Sequence, residues 1–338
     1  MPKNILVLVL LLFTSCIDPL DFRSSEQGEH LVVEGSFTND PEQNYVRLSY
    51  SRPYADPYTQ FVLDAEVYVT SAEGEHYRFA NDGDDGNYFP VQPLEAAGVV
   101  GHTYTLHIEV NGKAYESGPI TLKKPVPIDS VRFEVDEQVY SFPGYKERKV
   151  WPGYSVQVGY QDPADEKNFL RWTFSSQYEV STQPRNAQPE PKDCCSRCFF
   201  NEVPRPFHTV DDRLTDGQQV TNQEVFFIPF ERYLGVKYKL DIYQYAISEE
   251  AYEFFRIMEE QKQGTGTVFD PPPAQVTGNL YNVNDEDEQV IGFFDVSGVS
   301  KRQVVIKKED IKYPFMPYEM PNDCREMDGA FTEIPEGW

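Results

Sequence analysis

Five cysteines are the residues of this 338-residue chain whose type and spacing point most directly to chemistry: Cys16, Cys194, Cys195, Cys198 and Cys324. Cys16 follows Lys3, the apolar run Ile5 to Phe13 and the small pair Thr14-Ser15. That order is a basic start, an apolar stretch and small residues at a cleavage site, as in a secretory leader. In a lipoprotein box a thiol directly after two small residues accepts a diacylglycerol group, and cleavage is expected to leave Cys16 as the first residue; the alternative is an ordinary secreted protein with a chance cysteine at this place. Phe13 departs from the aliphatic residue usual at its position. Nine apolar residues in a helix cover about 14 Å, against the roughly 20 residues a bilayer core needs, so the run is no membrane span. A single acyl chain binds a membrane marginally and two or three bind durably. Covalent acyl lipid on Cys16 is the only cofactor expected.

The other four thiols sit as Cys194-Cys195-x-x-Cys198 and a distant Cys324. In an exported chain they suggest two disulfides, with three connectivities open. One bridge is expected to tie Cys324 back to the 194–198 cluster and staple the C-terminal tail. The spacing can also hold a metal, but structural zinc favours two knuckles and only one is present.

Oxygen ligands offer a second chemistry. Asp82, Asp84 and Asp85 fall in the glycine-rich turn Asn81-Asp82-Gly83-Asp84-Asp85-Gly86-Asn87, and Asn284 to Glu288 form another acidic run. Calcium takes six to eight oxygens, yet neither run has the EF-hand spacing, so solvated turns are the favoured reading and Asp82, Asp84 and Asp85 are weak calcium candidates. His102 and His107 are five apart on a predicted strand, which puts them on opposite faces and excludes a shared metal there. The nucleophile elbow, the paired-histidine zinc motif, the phosphate-binding loop and the dinucleotide fingerprint do not occur. No catalytic residue is assigned, and the chain is read as a non-enzyme. A glycosidase-type carboxylate pair is the weakest alternative, because 55 Asp and Glu make any pair easy to propose.

The elements that would position these groups are mostly strands. Segments 30–37, 45–50, 65–70, 77–79, 88–89, 103–110 and 113–116 are β-rich, several with period-two alternation. Asn111-Gly112 between two alternating runs predicts a two-residue hairpin turn. About seven strands in about 95 residues read as a β-sandwich. Residues 29–125 are therefore expected to form an immunoglobulin- or transthyretin-like sandwich, after a leader at 1–15 and a flexible tether at 16–28. Pro125 and Pro127 mark a junction. Residues 126–338 are expected to form a second β-rich domain with one amphipathic helix near 248–263, capped by Ser248 and opened by Glu249 and Glu250. Its stripe of Ala251, Phe254, Phe255 and Met258 is read as core packing on a sheet. The fold class is thus mainly β.

Composition narrows the function classes. The formal net charge of −25 repels phosphate backbones and anionic lipid, which argues against nucleic-acid binding and against electrostatic membrane binding. With 22 Tyr, 23 Phe and 26 Pro, the mix favours strands and turns.

Several stretches resemble one family. They are LVVEGSFTND (31–40), GHTYTLHIEVNGKAYES (101–117), the CCSRC cluster (194–198), LDIYQYAISEEAYEFF (240–255), VFDPPPAQVTGNLYNVND (268–285) and EQVIGFFDVSGVS (288–300). In order along nearly the whole mature chain, they resemble the DUF4249 lipoproteins of Bacteroidota. Phe269-Asp270-Pro271-Pro272-Pro273 and Gly278-Asn279-Leu280-Tyr281 are the most specific parts. The resemblance transfers no catalytic residue. It implies an outer-membrane lipoprotein, lipid-anchored and facing the cell surface, with Asp18 and Asp21 as acidic export cues. Its implied partner is an outer-membrane β-barrel of the TonB-dependent receptor type. The leading expectation is an accessory subunit of such a complex, with the aromatic-rich second domain supplying contact surface. A subunit of an insertase assembly complex and a nutrient-capture protein are the rivals.

Overall fold

The computed structural model describes residues 29–52, 58–81, 83–140, 149–164, 166–182, 196–202, 208–230, 234–263, 278–313, 321 and 323–338. The leader, the tether, Cys16, Asp82, Cys194 and Cys195 lie outside these residues. No helix among the described residues is long and apolar enough to cross a membrane.

The first body begins with β1 (Leu31–Thr38), β2 (Tyr45–Tyr50), β3 (Gln60–Phe61), β4 (Glu66–Ser71), β5 (His76–Asn81) and β6 (Asn87–Pro90). It continues with β7 (Thr103–Val110), β8 (Lys113–Ser117) and β9 (Ile120–Thr121). Period-two alternation decides which side chains turn inward: Tyr104, Leu106, Ile108 and Val110 of β7 are buried, and the residues between them are not. The hairpin turn between β7 and β8 has positive φ at both Asn111 (52°) and Gly112 (74°), as a two-residue turn of that hand requires. The strands pair in the order β1-β2-β6-β5-β4-β7-β8, with β3 on β2 and β9 on β7.

Residues 29–125 do not complete this body alone. Strand β17 (Leu280–Asn282) pairs antiparallel with β8, and β18 (Ile291–Lys307) runs parallel to β1. Leu280, Val290, Phe294 and Val296 join the first core, so the division expected at 125/126 leaves out part of it. The remaining gap between β17 and β18 is bridged by one side chain. Asn279 donates from Nδ2 to the Phe294 carbonyl (2.8 Å) and accepts the Phe294 N–H at Oδ1 (2.9 Å). An amide group thereby replaces a strand pair and satisfies both backbone groups of a buried residue. Backbones meet so closely here that a Cβ on Gly278 would run into the Gly292 carbonyl oxygen, and one on Gly292 (φ +105°) into that of Val33.

The second body is a two-layer sandwich. One layer is β10 (Ser130–Tyr140), β11 (Lys149–Gln161) and β15 (Gln219–Pro229), in the order β10-β11-β15. The other contains β12 (Phe169–Ser181), β13 (Arg197–Glu202), β14 (His208–Asp211) and β16 (Lys237–Ala246), in the order β13-β12-β16-β18, with β14 also on β12. Even-numbered residues of β12 and β16, among them Trp172, Phe174, Leu240 and Ile242, face Val156, Val158, Phe226 and Ile228 across the core. The second-domain aromatics expected to supply contact surface are instead largely core: Tyr154, Tyr160, Trp172, Tyr238 and Phe200 are buried. The junction is fixed to this core. Val126 is buried, and its carbonyl accepts from Gln244 Nε2 (2.8 Å) and Ser300 Oγ (2.6 Å).

Strand β18 joins the two bodies. Phe294 and Val296 enter the first core, Ile306 enters the second, and Phe293 and Val299 point to the opposite face. That face is covered by helix α1 (Glu249–Gln263), which falls within one residue of the expected span. Ser248 caps it by accepting the Ala251 N–H at Oγ (3.0 Å). Ala251 and Tyr252 are buried against Phe169, Tyr243, Tyr245 and Phe293, with Phe254 and Phe255 packed alongside. The stripe is core packing, as its spacing indicates.

Candidate functional site

The residues singled out for chemistry are mostly used to build the fold. Cys198 and Cys324 are bonded (S–S 2.01 Å, Cα–Cα 5.8 Å) and both are fully buried. This is the link expected between the cysteine cluster and the tail. Beyond it, Phe199 and Phe331 exchange backbone hydrogen bonds (2.7 and 3.0 Å). Trp338 packs edge-on against Phe199 and donates from Nε1 to Glu179 Oε2 (3.0 Å). A thiol pair joined in this way leaves no metal ligand at Cys198 or Cys324.

The calcium candidates separate. Asp85 accepts the Asn87 N–H (3.2 Å) and its side-chain amide, and these bonds hold its carboxyl below the usual range. It shapes the turn before β6, an Asx-type role that leaves fewer oxygens for an ion. Asp84 is exposed on the same turn. In the second acidic run Glu288 accepts from Lys113 Nζ (2.8 Å), Tyr115 Oη (2.9 Å) and Asn282 Nδ2 (2.7 Å). Burial raises its carboxyl, but these three donors outweigh it and the net shift is downward. The run therefore ties the segment after β17 to β8. His107 stacks on Tyr68 and bonds Thr70 (2.8 Å) and Glu116 (3.0 Å), whereas His102 lies 3.5 Å from both Glu73 and Glu75. The two histidines share no partner.

Two other clusters escaped the sequence reading. Asp162, Asp212 and Asp216 bring carboxylate oxygens within 4.8 Å of one another, the one group of three or more such ligands among the described residues. Asp162 accepts the Gly217 N–H (3.0 Å) and Asp212 the Asn168 N–H (2.6 Å), so both brace loops at one end of the second sandwich. Burial, then the neighbouring carboxylates, push the Asp162 carboxyl up. Such a trio has the oxygen chemistry for a hard cation, but the loop contacts explain it without one.

The second cluster lies under α1, where β18 passes from one body to the other. Arg171 of β12 donates from Nη2 to Asp295 Oδ2 of β18 (3.2 Å), and Ser297 Oγ donates to the same oxygen (3.0 Å). The guanidinium is held between the Tyr245 and Phe255 rings, 4.4 Å from each centroid. A cation between two desolvated ring faces gains from both quadrupoles. Asp295 lies opposite Ser36 in the parallel register, and Ser36 opposite Tyr45. Burial pushes the Asp295 carboxyl up, and Arg171 pulls it back. Burial and then the Glu34 carboxylate, which accepts from Tyr45 Oη (2.9 Å), raise the Tyr45 phenol above its ordinary range. Arg171 Nε, Asp295 Oδ1 and Ser36 Oγ are buried without a protein partner. The helix is fastened over this row by Glu259, which accepts from His208 Nδ1 (3.0 Å) and Thr209 Oγ1 (3.2 Å). No signal in the sequence joins Arg171 to Asp295, 124 residues away; only the strand pairing does.

Fold and site together define a mainly β protein of two bodies sharing one long strand, with its buried ion pair under a covering helix. The family model described as Domain of unknown function (DUF4249) matches residues 17–303, and the chain belongs to that family. No curated protein matches the chain. The Gly278-Asn279-Leu280-Tyr281 motif, which carries much of the resemblance, is the segment that bridges β17 to β18.

Proposed function

We propose that this protein is a non-enzymatic outer-membrane lipoprotein of the Bacteroidota type. It is held by acyl chains on Cys16 and acts as an accessory subunit of a TonB-dependent-receptor-type barrel complex. The observation that carries the reading is the order of the first sixteen residues, which places a lipid-accepting thiol after an apolar leader. The tether expected at 16–28 spans at most about 45 Å at full extension, which supports a folded body set beside a barrel. At −25 the body gains nothing from anionic lipid, so attachment rests on the acyl chains. The chemically suggestive residues brace the fold, which supports a binding role over catalysis.

The test is affinity purification of tagged protein from gently solubilised outer membrane, with mass spectrometry of its companions and Cys16→Ala in parallel. A stoichiometric TonB-dependent barrel, lost together with membrane attachment in Cys16→Ala, is the expected result. An insertase barrel would move the protein to an assembly complex. A barrel partner combined with small-molecule affinity would favour nutrient capture. Membrane attachment that survives Cys16→Ala would refute the lipid anchor.

A further inference from the structure

The three-stranded layer of the second body ends in an open edge. Strand β10 is eleven residues long and, among the described residues, pairs with β11 alone. Alternate backbone N–H and C=O groups of β10 therefore point away from the sheet, and no described residue bonds to them. Such an edge is a ready template for another strand. The apolar face of this layer also outruns its core. Phe133 packs inward, but Val135 and Val139 of the same face are 54% and 59% exposed, and Val150, paired with Val139, is 62% exposed.

The charge along this edge selects the occupant. Glu134, Asp136 and Glu137 are exposed on β10, with Arg132 as its one cation. Among the described residues, Glu134 accepts from Gln157 (3.1 Å) and Asp136 from Gln138 (2.9 Å), both neutral donors. Neighbouring Glu224 also accepts from neutral groups, Gln138 and Ser155 (2.8 Å each). A second copy laid against β10 would bring three carboxylates and one cation to meet the same set, so like charges outnumber complementary ones, which is unfavourable across strands.

We propose that the β10 edge is a docking surface for a basic, extended segment of a partner protein, which adds as a fourth strand. Its backbone completes the β10 ladder, its apolar residues cover Val135 and Val139, and its Lys or Arg side chains meet Glu134 and Asp136 on the other face and Glu137 between the two valines. This deepens the accessory-subunit reading and rests on it.

Two experiments test it on the full chain. The first repeats the outer-membrane purification with E134K/D136K/E137K and, as control, with E286K/D287K, which reverses two exposed acids away from β10. Both variants are checked for an unchanged melting temperature. The expected result is about a tenfold loss of the co-purifying barrel for the β10 variant alone, in line with loss of several rim charge pairs. Equal capture by wild type and both variants overturns the β10 assignment and leaves the accessory role standing. No barrel with wild type removes the accessory role itself.

The second uses a ten-residue alternating Lys-Val peptide as probe, with an alternating Glu-Val peptide as control. Hydrogen exchange should show slowed amides within 130–140 for the Lys peptide with wild type, weakening as salt rises. Absence of that protection, or equal protection by the Glu peptide or in the β10 variant, overturns the proposal. So does a wild-type dimer in sedimentation that the β10 variant abolishes, since the occupant would then be a second copy.

Discussion

Replacing the buried bridge with Cys198→Ala/Cys324→Ala separates what the disulfide contributes from what the tail's other contacts contribute. The bridge closes a loop with a sequence separation of 126. The chain-entropy relation gives about 16 cal/mol/K for a loop of that size, or about 5 kcal/mol at 25 °C, as the restriction lifted from the unfolded chain. Engineered and native bridges often deliver less, so the expected loss is about 2–5 kcal/mol. Alanine is preferred to serine because both positions are fully buried and would strand a hydroxyl. The Phe199–Phe331 bridge and the Trp338 contacts remain, so the tail should fray locally while the two bodies keep their sheets. Denaturant unfolding of oxidised wild type against the double variant measures the loss, and hydrogen exchange over 323–338 locates it. Peptide mapping that joins Cys324 to Cys194 or Cys195, or a loss below about 1 kcal/mol, would refute the assignment.

Further outcomes follow from the same physical terms. Arg171→Met leaves Asp295 buried without its cation and should cost about 3–5 kcal/mol. Arg171→Met/Asp295→Leu should recover most of that loss, and equal damage by single and double variants in urea unfolding would show that the pair is not coupled. Asn279→Ala strands the N–H and C=O of Phe294 and should cost about 2–4 kcal/mol. Gly278→Ala should be at least as damaging, because its methyl meets the Gly292 carbonyl; a wild-type melting temperature for either variant would contradict the bridge between β17 and β18. Asp162→Asn keeps an acceptor for the Gly217 N–H and removes a carboxylate whose folded pKa is raised. Stability contributed by the protonated acid is present at low pH and lost as pH rises through that raised pKa. The variant should therefore melt above wild type at pH 7 and level with it near pH 3, and a gap independent of pH would refute the account.

Much of the local structure was legible in the residues. Hairpin β7–β8 follows from Asn111-Gly112, because few other pairs accept positive φ twice in succession. Helix α1 follows from Ser248, two acids in its first turn and an apolar stripe at helical spacing. The inward faces of β7, β12 and β16 follow from period-two alternation. These are short-range effects, in which each residue's preference is expressed within a few neighbours. The composition likewise argued against nucleic-acid binding, through the repulsion between phosphate and a chain of net charge −25.

The site was not legible, since the contacts that define it span the chain. Arg171 meets Asp295 only because β12, β16 and β18 lie side by side. Asp162, Asp212 and Asp216 converge because two loops meet at one end of a sandwich. Cys324 chooses Cys198 because β13 carries that thiol inward. The boundary at 125/126 missed the return of β17 and β18 to the first body, for a strand's pattern names its buried face and not its neighbour. Sequence alone thus determined the mainly β class, hairpin β7–β8, helix α1 and the inward faces of the alternating strands. Tertiary structure decided which distant carboxylates, cations and thiols became partners, because burial strengthens their interactions only after the sheets have brought them together.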